Sequence, residues 1–289
     1  MTRTKWITRN ADVGTIETLD ELDDLGSDAP GAGGELLPSW AKYITRIAAA
    51  GALDGAAIGN GVLFGRLRGA IDNGDNEITF MISGGGVQVA TGTQNGHNAW
   101  ISPPLAVPVE GGGRMKFFAE IFGDAENDSE VSISVQVSDS PHPIGAKWTR
   151  SFTADVDGID ADTNLTGALG ADATPVRKVP DEATRCTYVS VAHGYDQAAD
   201  GTMAILLRLK SNPFEDDHDI TCAAQGSITG QAGSDETAIV LPAVNIPMGI
   251  ADEGCGIVGG GDLNGRVRGE QVGDDLGSGQ IGVTLWLAP

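Results

Sequence analysis

The sequence predicts an all-β protein made of two related antiparallel β-sandwich domains that follow one another in the chain. Three observations lead to this prediction: short segments in which apolar and polar residues alternate, glycine-rich clusters between them, and an internal repeat with a nearly constant spacing. The 289 residues are enough for two domains of ordinary size, each able to bury a core.

The alternation is clearest between Val131 and Val137, where apolar residues occupy every odd position and polar residues stand between them. Side chains two positions apart in a strand lie on the same face, so this pattern indicates a strand with one buried and one solvated face. A similar alternation from Ile281 to Leu287 indicates a second strand of the same kind. The segment from Ser39 to Ala52 has a partly helical spacing, but its counterpart later in the chain is rich in β-branched residues, so we predict strands in both.

Glycine-rich clusters separate the predicted strands. The chain has 42 glycines, far above the usual share of about 7%. Asn-Gly and Gly-Gly pairs tolerate the positive φ that tight hairpins require. Short strands with a turn every ten or so residues are typical of a sandwich or a barrel. The clusters lie at 59–61, 72–75, 95–96, 111–113 and 259–262.

The internal repeat starts at residues 37–47, which match residues 179–189 in the order of their proline and apolar positions. The spacing between the two segments is 142 residues, and the same spacing relates residues 66–68 to residues 208–210. A repeat of this length indicates a duplicated structural unit.

Further along the chain the spacing changes with loop length. Residues 107–109 match residues 246–248 at a spacing of 139, and residues 120–124 match residues 270–274 at a spacing of 150. The two alternating strand segments are also 150 residues apart. Because the matches keep their order and a nearly constant spacing, we interpret the chain as a tandem duplication.

The repeat also sets the predicted domain limits. We predict an acidic N-terminal arm at 1–35, a first sandwich at 36–139, a linker with an Asp-rich loop at 140–177 and a second sandwich at 178–289. Residues 17–34 combine many carboxylates with a Pro-Gly-Ala-Gly-Gly segment and have too little apolar surface to fold alone. The arm is therefore predicted to be flexible.

The formal net charge of −22 argues against direct binding of nucleic acid, because a phosphate-binding surface needs clustered lysine and arginine. Such an acidic surface stays dispersed through self-repulsion, which salt screens. The balance is rich in Asp and poor in Lys, as in proteins of salt-loving organisms, although an ordinary acidic surface explains it too. The composition therefore excludes a nucleic-acid-binding module and leaves a halophilic source open.

No apolar run approaches the ~20 residues that span a bilayer, so no membrane span is predicted. The chain has three cysteines, Cys186, Cys222 and Cys255, and no two of them have the CxxC spacing. We therefore predict small buried hydrophobic residues at these positions, and neither a zinc site nor a disulfide framework.

Catalytic motifs are not apparent in the sequence, and we predict a protein that is not an enzyme. His97, His142, His193 and His218 stand outside HExxH or any other spaced pair, and no serine lies in a GxSxG motif. Each histidine is predicted to be a surface or loop residue. An enzyme would need one of them to meet a carboxylate and a hydroxyl in one cleft.

One acidic stretch suggests a metal site. Asp155, Asp157, Asp160 and Asp162 lie within eight residues and are followed by Asn164. Calcium prefers six to eight oxygen ligands in a flexible loop, which such a stretch can supply. The spacing differs from that of an EF-hand, so two interpretations stay open: a loop that binds calcium, and a solvated acidic loop.

Two successive β-sandwich domains in one acidic chain, at residues 36–139 and 178–289 behind an N-terminal arm, resemble the jelly-roll capsid proteins of viruses, of the tandem or double jelly-roll type. The resemblance implies jelly-roll-like sandwiches and a structural role in the virion, as a major capsid protein or a decoration or turret protein. It further implies self-assembly into a symmetric oligomer, a trimer, in contact with other virion proteins. The arm would become ordered on assembly.

Two other functions are compatible with the sequence. A glycan-binding β-sandwich module would use Trp40, Trp100 and Trp148 as exposed platforms, but the second repeat has no tryptophan at the positions that match Trp40 or Trp100. A cell-surface or filament subunit would differ from a capsid protein in how copies propagate, as an open fibre in place of a closed shell.

Overall fold

The computed structural model confirms the all-β prediction. In the part of the chain that the structure describes, twenty-one strands form four antiparallel sheets and no helix occurs. The sheets are named A to D in the order in which they stack. No segment there is a helix long and apolar enough to cross a bilayer. The described residues are 2–13, 20–22, 34–55, 59–87, 94–123, 128–157, 163–165, 167–169, 178–195, 203–210, 213–214, 220–225, 238–249, 254–273 and 278–289.

The first two sheets contain most of the strands of the first repeat. Sheet A has, in spatial order, β1 (Thr4–Val13), β10 (Asp128–Ser138), β4 (Tyr43–Gly55) and β7 (Gln94–Ile101), with β8 (Val107–Pro108) also paired to β4. Sheet B has β17 (Ala238–Pro242), β6 (Glu77–Val87), β5 (Gly59–Gly69), β9 (Arg114–Gly123) and β2 (Asp20–Glu21), with β3 (Glu35–Leu36) also paired to β9.

The other two sheets come from the second repeat. Sheet C has β13 (Gly167–Leu169), β11 (Trp148–Asp157), β21 (Ser278–Ala288), β14 (Arg185–Tyr195) and β18 (Val244–Pro247), with β19 (Cys255–Gly256) also paired to β14. Sheet D has β12 (Thr163–Asn164), β20 (Val267–Gly273), β15 (Met203–Leu209) and β16 (Ile220–Gln225).

Sheets A and B form the first sandwich, and sheets C and D form the second. Each sandwich has eight principal strands, numbered 1 to 8 here in chain order: β1, β2, β4, β5, β6, β7, β9 and β10 in the first, and β11, β12, β14, β15, β16, β18, β20 and β21 in the second. In both sandwiches one sheet has the order 1-8-3-6 and the other the order 2-7-4-5. This arrangement is the eight-stranded jelly roll, which combines two Greek keys. The prediction of two related jelly-roll-like sandwiches is therefore confirmed.

A β-bulge at the same place in both sandwiches supports the duplication. Thr45 is the extra residue of β4 opposite β10, and Thr187 is the extra residue of β14 opposite β21. Each hydroxyl faces the residue across the bulge: Thr45 Oγ1 donates to Gln136 Oε1 at 3.0 Å and lies 3.4 Å from the Gln136 carbonyl oxygen, and Thr187 Oγ1 donates to the Trp286 carbonyl at 3.1 Å. The two threonines are 142 residues apart and the two acceptors 150, which are the spacings found in the sequence.

One predicted match has the wrong register. Ile44 pairs with Val107 in the first sandwich, and the equivalent Cys186 pairs with Cys255 in the second, so the spacing here is 148 and not 139. The predicted partner Ile246 lies in β18 and pairs elsewhere on β14. The second repeat has extra residues before Cys255. They include Ile246-Pro247, which resembles Val107-Pro108 of the first repeat and produced the false match.

Two segments predicted to lie outside the sandwiches contain strands. Thr4–Val13, in the predicted arm, pairs along its whole length with β10, and Trp148–Asp157, in the predicted linker, pairs along its whole length with β21. Each is the first strand of its jelly roll and uses the open edge of the last strand, a partner that local sequence does not reveal. The domain limits themselves stay predictions. Residues 1, 14–19 and 23–33 of the predicted arm lie outside the described residues.

The four sheets form one stack. The first core lies between sheets A and B and includes the fully buried Ile47, Leu67 and Ile133. The second core lies between sheets C and D and includes Val189 and Leu207. Sheet C packs its outer face on the outer face of sheet B, so these two sheets are covered on both faces.

Candidate functional site

Hydroxyl groups line the contact between sheets B and C. The Thr79 amide donates to Thr149 Oγ1 at 3.0 Å, the Met81 amide donates to Thr284 Oγ1 at 2.9 Å, and Ser151 Oγ donates to the Thr79 carbonyl at 2.9 Å. These backbone groups lie on the edge of β6 beyond the residues that pair with β17. Sheet C thereby satisfies hydrogen-bonding groups that burial would otherwise leave without partners.

Three stacked aromatic rings cross from one sandwich to the other. Phe80 and Trp100 of the first sandwich lie 5.7 Å apart, and Trp286 of the second stacks on Trp100 at 6.1 Å. Trp286 Nε1 donates to Ser190 Oγ at 2.6 Å, and Trp100 Nε1 donates to Asn245 Oδ1 at 3.2 Å. Both indole N–H groups are therefore satisfied inside the interface.

Glycines allow the backbones of sheets B and C to touch. A Cβ atom placed on Gly194 of β14 would lie 2.3 Å from the Gly61 carbonyl oxygen, and one on Gly84 of β6 would lie 2.5 Å from the His193 carbonyl oxygen. Packed sheets are usually separated by about 10 Å of interdigitated side chains. The absence of side chains at these two positions permits a closer approach.

Strand β17 belongs to the second repeat but pairs with β6 of the first sandwich. Its register places Ala238 opposite Val87 and Pro242 opposite Ser83. Proline lacks an N–H group, so Pro242 suits the end of an edge strand. Main-chain hydrogen bonds thus join the two sandwiches in addition to the side-chain contacts.

An ion pair closes one end of the interface. Arg150 Nη1 of β11 lies 2.8 Å from Asp75 Oδ2 in the turn after β5, and Arg150 Nε donates to the Lys178 carbonyl at 2.6 Å. Trp148 Nε1 donates to the Asn73 carbonyl of the same turn at 2.5 Å. These contacts hold the start of the second jelly roll against the first.

The outer face of sheet A is the equivalent of the sheet C face that is buried in this contact. Pairing registers place Thr8, Ser134 and Ala48 where Ser151, Thr284 and Ser190 lie in sheet C. None of the residues in the two central rows of this face is charged, although the chain as a whole carries a net charge of −22. The rows consist of Thr8, Ser134, Ala48 and Ile101, and of Asn10, Ser132, Ala50 and Ala99.

Exposed apolar side chains border the same face. Ile101 is 54% exposed at the β7 edge, and Trp6 is 45% exposed on β1. Val244 of β18 is also exposed, and Asn245 beside it donates through Nδ2 to the Ile101 carbonyl at 2.7 Å. Two uncharged rows with exposed apolar side chains beside them are typical of an interaction surface. Charged residues lie in the next rows of the same face, Arg46 on one side and Asp12 and Glu130 on the other.

The outer face of sheet D is the equivalent of the sheet B face. Arg66 Nη2 pairs with Glu120 Oε2 at 2.7 Å in sheet B, and Arg208 pairs with Glu270 at the equivalent position in sheet D. Burial lowers the pKa of Arg66, while Glu77 and Glu120 oppose that shift. By position in the repeat, the outer faces of sheets A and D therefore correspond to those of sheets C and B, but Ala52 stands where Gly194 lies and Gln136 where Trp286 lies.

The predicted metal ligands are only partly within the described residues. Asp155 is exposed on β11 opposite Gln280, and Asp157 is the last residue of that strand, opposite Ser278. Asp160 and Asp162 lie outside the described residues. Within the part that is described, no group of three or more His, Cys, Asp or Glu residues is arranged to hold a metal ion. Calcium binding stays a prediction.

The tryptophans predicted as glycan platforms are not exposed rings. Trp100 and Trp148 are 5% and 3% exposed, and Trp40 is partly buried against the first core. The interpretation of Trp100 and Trp148 as surface platforms is therefore wrong, because packing between sheets covers them. Trp6 and Trp286 were not predicted to take part in a surface or an interface. In β1 and β21 they alternate with residues that face the cores, and this alternation places both rings on outer faces of the sheets.

His193 is buried in β14, so its prediction as a loop or surface residue is wrong. Its position in a strand covered on both faces explains the burial, which lowers its pKa to about 3. His142 is partly buried. The side chain of His97 and the whole of His218 lie outside the described part of the chain.

Comparison with known proteins gives matches of architecture alone. No protein-family model matches the chain, and no curated protein matches its sequence. The major capsid protein P2 of bacteriophage PM2 aligns over 99% of this chain and 98% of its own, with 10% identity and a TM-score of 0.28. The viral particle of IBDV aligns over 99% of this chain and 69% of its own, with 12% identity and a TM-score of 0.26.

A Penaeus vannamei nodavirus structure aligns over 99% of this chain and 90% of its own, with 7% identity and a TM-score of 0.18. The architectural resemblance to viral capsid proteins predicted from the sequence thus recurs among solved structures. At these scores the likeness carries no argument about function.

Proposed function

We propose that this chain is a structural subunit of a viral capsid shell and that three copies assemble head to tail into a closed ring of six jelly rolls. The observation that carries the proposal is the packing of sheet C on sheet B, because the chain has a second face at the position equivalent to each of these two. The outer face of sheet A corresponds to that of sheet C, and the outer face of sheet D corresponds to that of sheet B.

A contact between two different faces is heterologous. A chain that offers one further face equivalent to each partner of the internal contact can therefore bind a second chain through the same pair of faces. Repeated contacts of this kind form a closed ring or an open filament, depending on the rotation between units. Three chains with two jelly rolls each correspond to the trimer that the resemblance to double jelly-roll capsid proteins implies.

The properties of the outer face of sheet A support this role. Ala50 and Ala99 are exposed small residues in an uncharged row of this face, and Ile101 provides apolar surface at its edge. Uncharged rows at the centre of a contact are buried without the cost of desolvating charges. The proposal includes contacts with other virion proteins, a location in the virion and no catalytic role, and it covers both a major shell protein and a decoration or turret protein.

Light scattering of the purified chain tests the proposal. At molar salt, which screens the repulsion between acidic subunits, we expect a mass three times the 29.7 kDa of the chain. At low salt the mass should fall towards that of the monomer. A monomer under every condition would refute the proposal, and a polydisperse, growing assembly would replace the closed ring with a filament.

Two substitutions locate the contact. Ala50→Arg places a charge in an uncharged row of the outer face of sheet A and should give a folded monomer at molar salt. Thr184→Arg adds the same charge at an exposed residue outside all four faces and should leave the trimer intact. Loss of the trimer in both variants, or in neither, would show that this face does not form the contact.

A further inference from the structure

Two cysteines stand directly opposite each other on neighbouring strands. Cys186 of β14 pairs in register with Cys255 of β19, and both are thiols in this structure. Residues opposite each other in an antiparallel pair point to the same face, with Cβ atoms about 4.5–5.5 Å apart. A disulfide needs Cβ atoms about 3.5–4.5 Å apart, so a small adjustment of a two-residue strand is sufficient.

The first sandwich shows what packing alone requires at these positions. The equivalent pair there is Ile44 and Val107, both fully buried in the core. The second sandwich has a cysteine at both places, although an aliphatic pair fills the same site in the first. Packing therefore accounts for small apolar residues here, but it does not account for two thiols facing each other.

We infer that Cys186 and Cys255 form a reversible disulfide that fastens β19 to β14 under oxidising conditions. This differs from the prediction made from cysteine spacing, because spacing along the chain does not show which residues pair across a sheet. The inference concerns the second jelly roll itself and does not depend on the capsid proposal.

The two thiols differ in access in a way that orders the reaction. Cys255 is only partly buried, whereas Cys186 has no exposed surface and its thiol donates to the Tyr188 carbonyl at 3.5 Å. A small disulfide such as oxidised glutathione is attacked by the Cys255 thiolate, which forms a mixed disulfide and releases one glutathione thiolate. The Cys186 thiolate then attacks the Cys255 sulfur and releases the second. The protein loses two protons and two electrons, and the oxidant becomes two thiols.

The experiment equilibrates the full chain with oxidised and reduced glutathione, quenches it with acid and measures the intact mass. We expect a loss of ~2 Da and, after digestion without reductant, a peptide that links Cys186 to Cys255. The oxidised chain should melt about 5 °C higher than the reduced chain. A link that involves Cys222, or native protein that keeps three titratable thiols, would overturn the inference.

The chain offers its own control. The double variant Cys186→Ile/Cys255→Val copies the pair of the first sandwich and should melt at a temperature that does not change with the redox buffer. Cys222→Ser should keep the link and the shift in melting temperature. If the double variant responds to the buffer as the unaltered chain does, the pair is not the redox-sensitive element.

Discussion

Trp100 and Trp286 stack with their ring centroids 6.1 Å apart and their planes at 24°, although they belong to different jelly rolls. Trp286 has no exposed surface, and Trp100 is also buried. The rings therefore form a core element shared by the two sandwiches, which we expect to unfold together.

Trp286→Ala should lower the free energy of unfolding by about 3–5 kcal/mol, because it removes a large buried side chain and leaves a cavity between the sandwiches. Urea denaturation followed by circular dichroism measures the loss. Trp286→Phe keeps an aromatic ring but loses the hydrogen bond from Nε1 to Ser190, so its loss should be smaller. Equal losses in both variants would contradict a role for the stack.

Ala50 and Ala192 occupy equivalent positions on the outer faces of sheets A and C, but Ala50 is exposed and Ala192 is buried against the first sandwich. Ala192→Arg should therefore prevent stable folding, since it places a charge in the buried contact, while Ala50→Arg should melt within about 2 °C of the unaltered monomer at low salt. Differential scanning calorimetry at low salt distinguishes the two. Similar melting temperatures would show that the contact between sheets B and C is not closely packed.

The two equivalent Arg–Glu pairs should differ in strength. Arg66 is 8% exposed in its side chain and Arg208 is 32% exposed, so loss of the carboxylate leaves a more poorly hydrated cation in the first sandwich. Glu77 Oε1 also lies 3.6 Å from Arg66 Nε and still compensates part of its charge, so Glu120→Gln should cost about 2 kcal/mol and Glu270→Gln about 1 kcal/mol or less. Chemical denaturation of the two variants in parallel measures the difference, and a larger loss for Glu270→Gln would contradict the assignment of burial.

Acid should weaken the protein through His193. Burial lowers its pKa to about 3 from the ordinary value of 6.5, so between these values the unfolded chain binds a proton that the folded chain does not. The contribution of neutral His193 is complete above about pH 6.5 and decreases by roughly 1 kcal/mol per unit as the pH falls towards 3. His193→Gln should show a shallower decrease over this range in urea titrations. Parallel curves for the His193 variant would refute the prediction.

The sequence predicted the sandwich class, the duplication and several strands because these depend on local alternation and on similarity between repeats. The alternation from Val131 to Val137 coincides with the buried side chains of β10, and the strand predicted from Ser39 coincides with β4. The sequence did not predict β1 or β11 as strands of the sandwiches, because each of them is held in its sheet by pairing with a strand far away in the chain.

What the sequence by itself determined is therefore the unit: an alternating, turn-rich jelly roll present twice. Only the tertiary structure decided how the units combine. The burial of Trp100, Trp148 and His193, the transfer of β17 into sheet B and the facing of Cys186 and Cys255 all arise from contacts between segments far apart in the chain. Periodicity reports that a strand has a face to bury, but which surface covers that face depends on packing, and packing is a property of the whole fold.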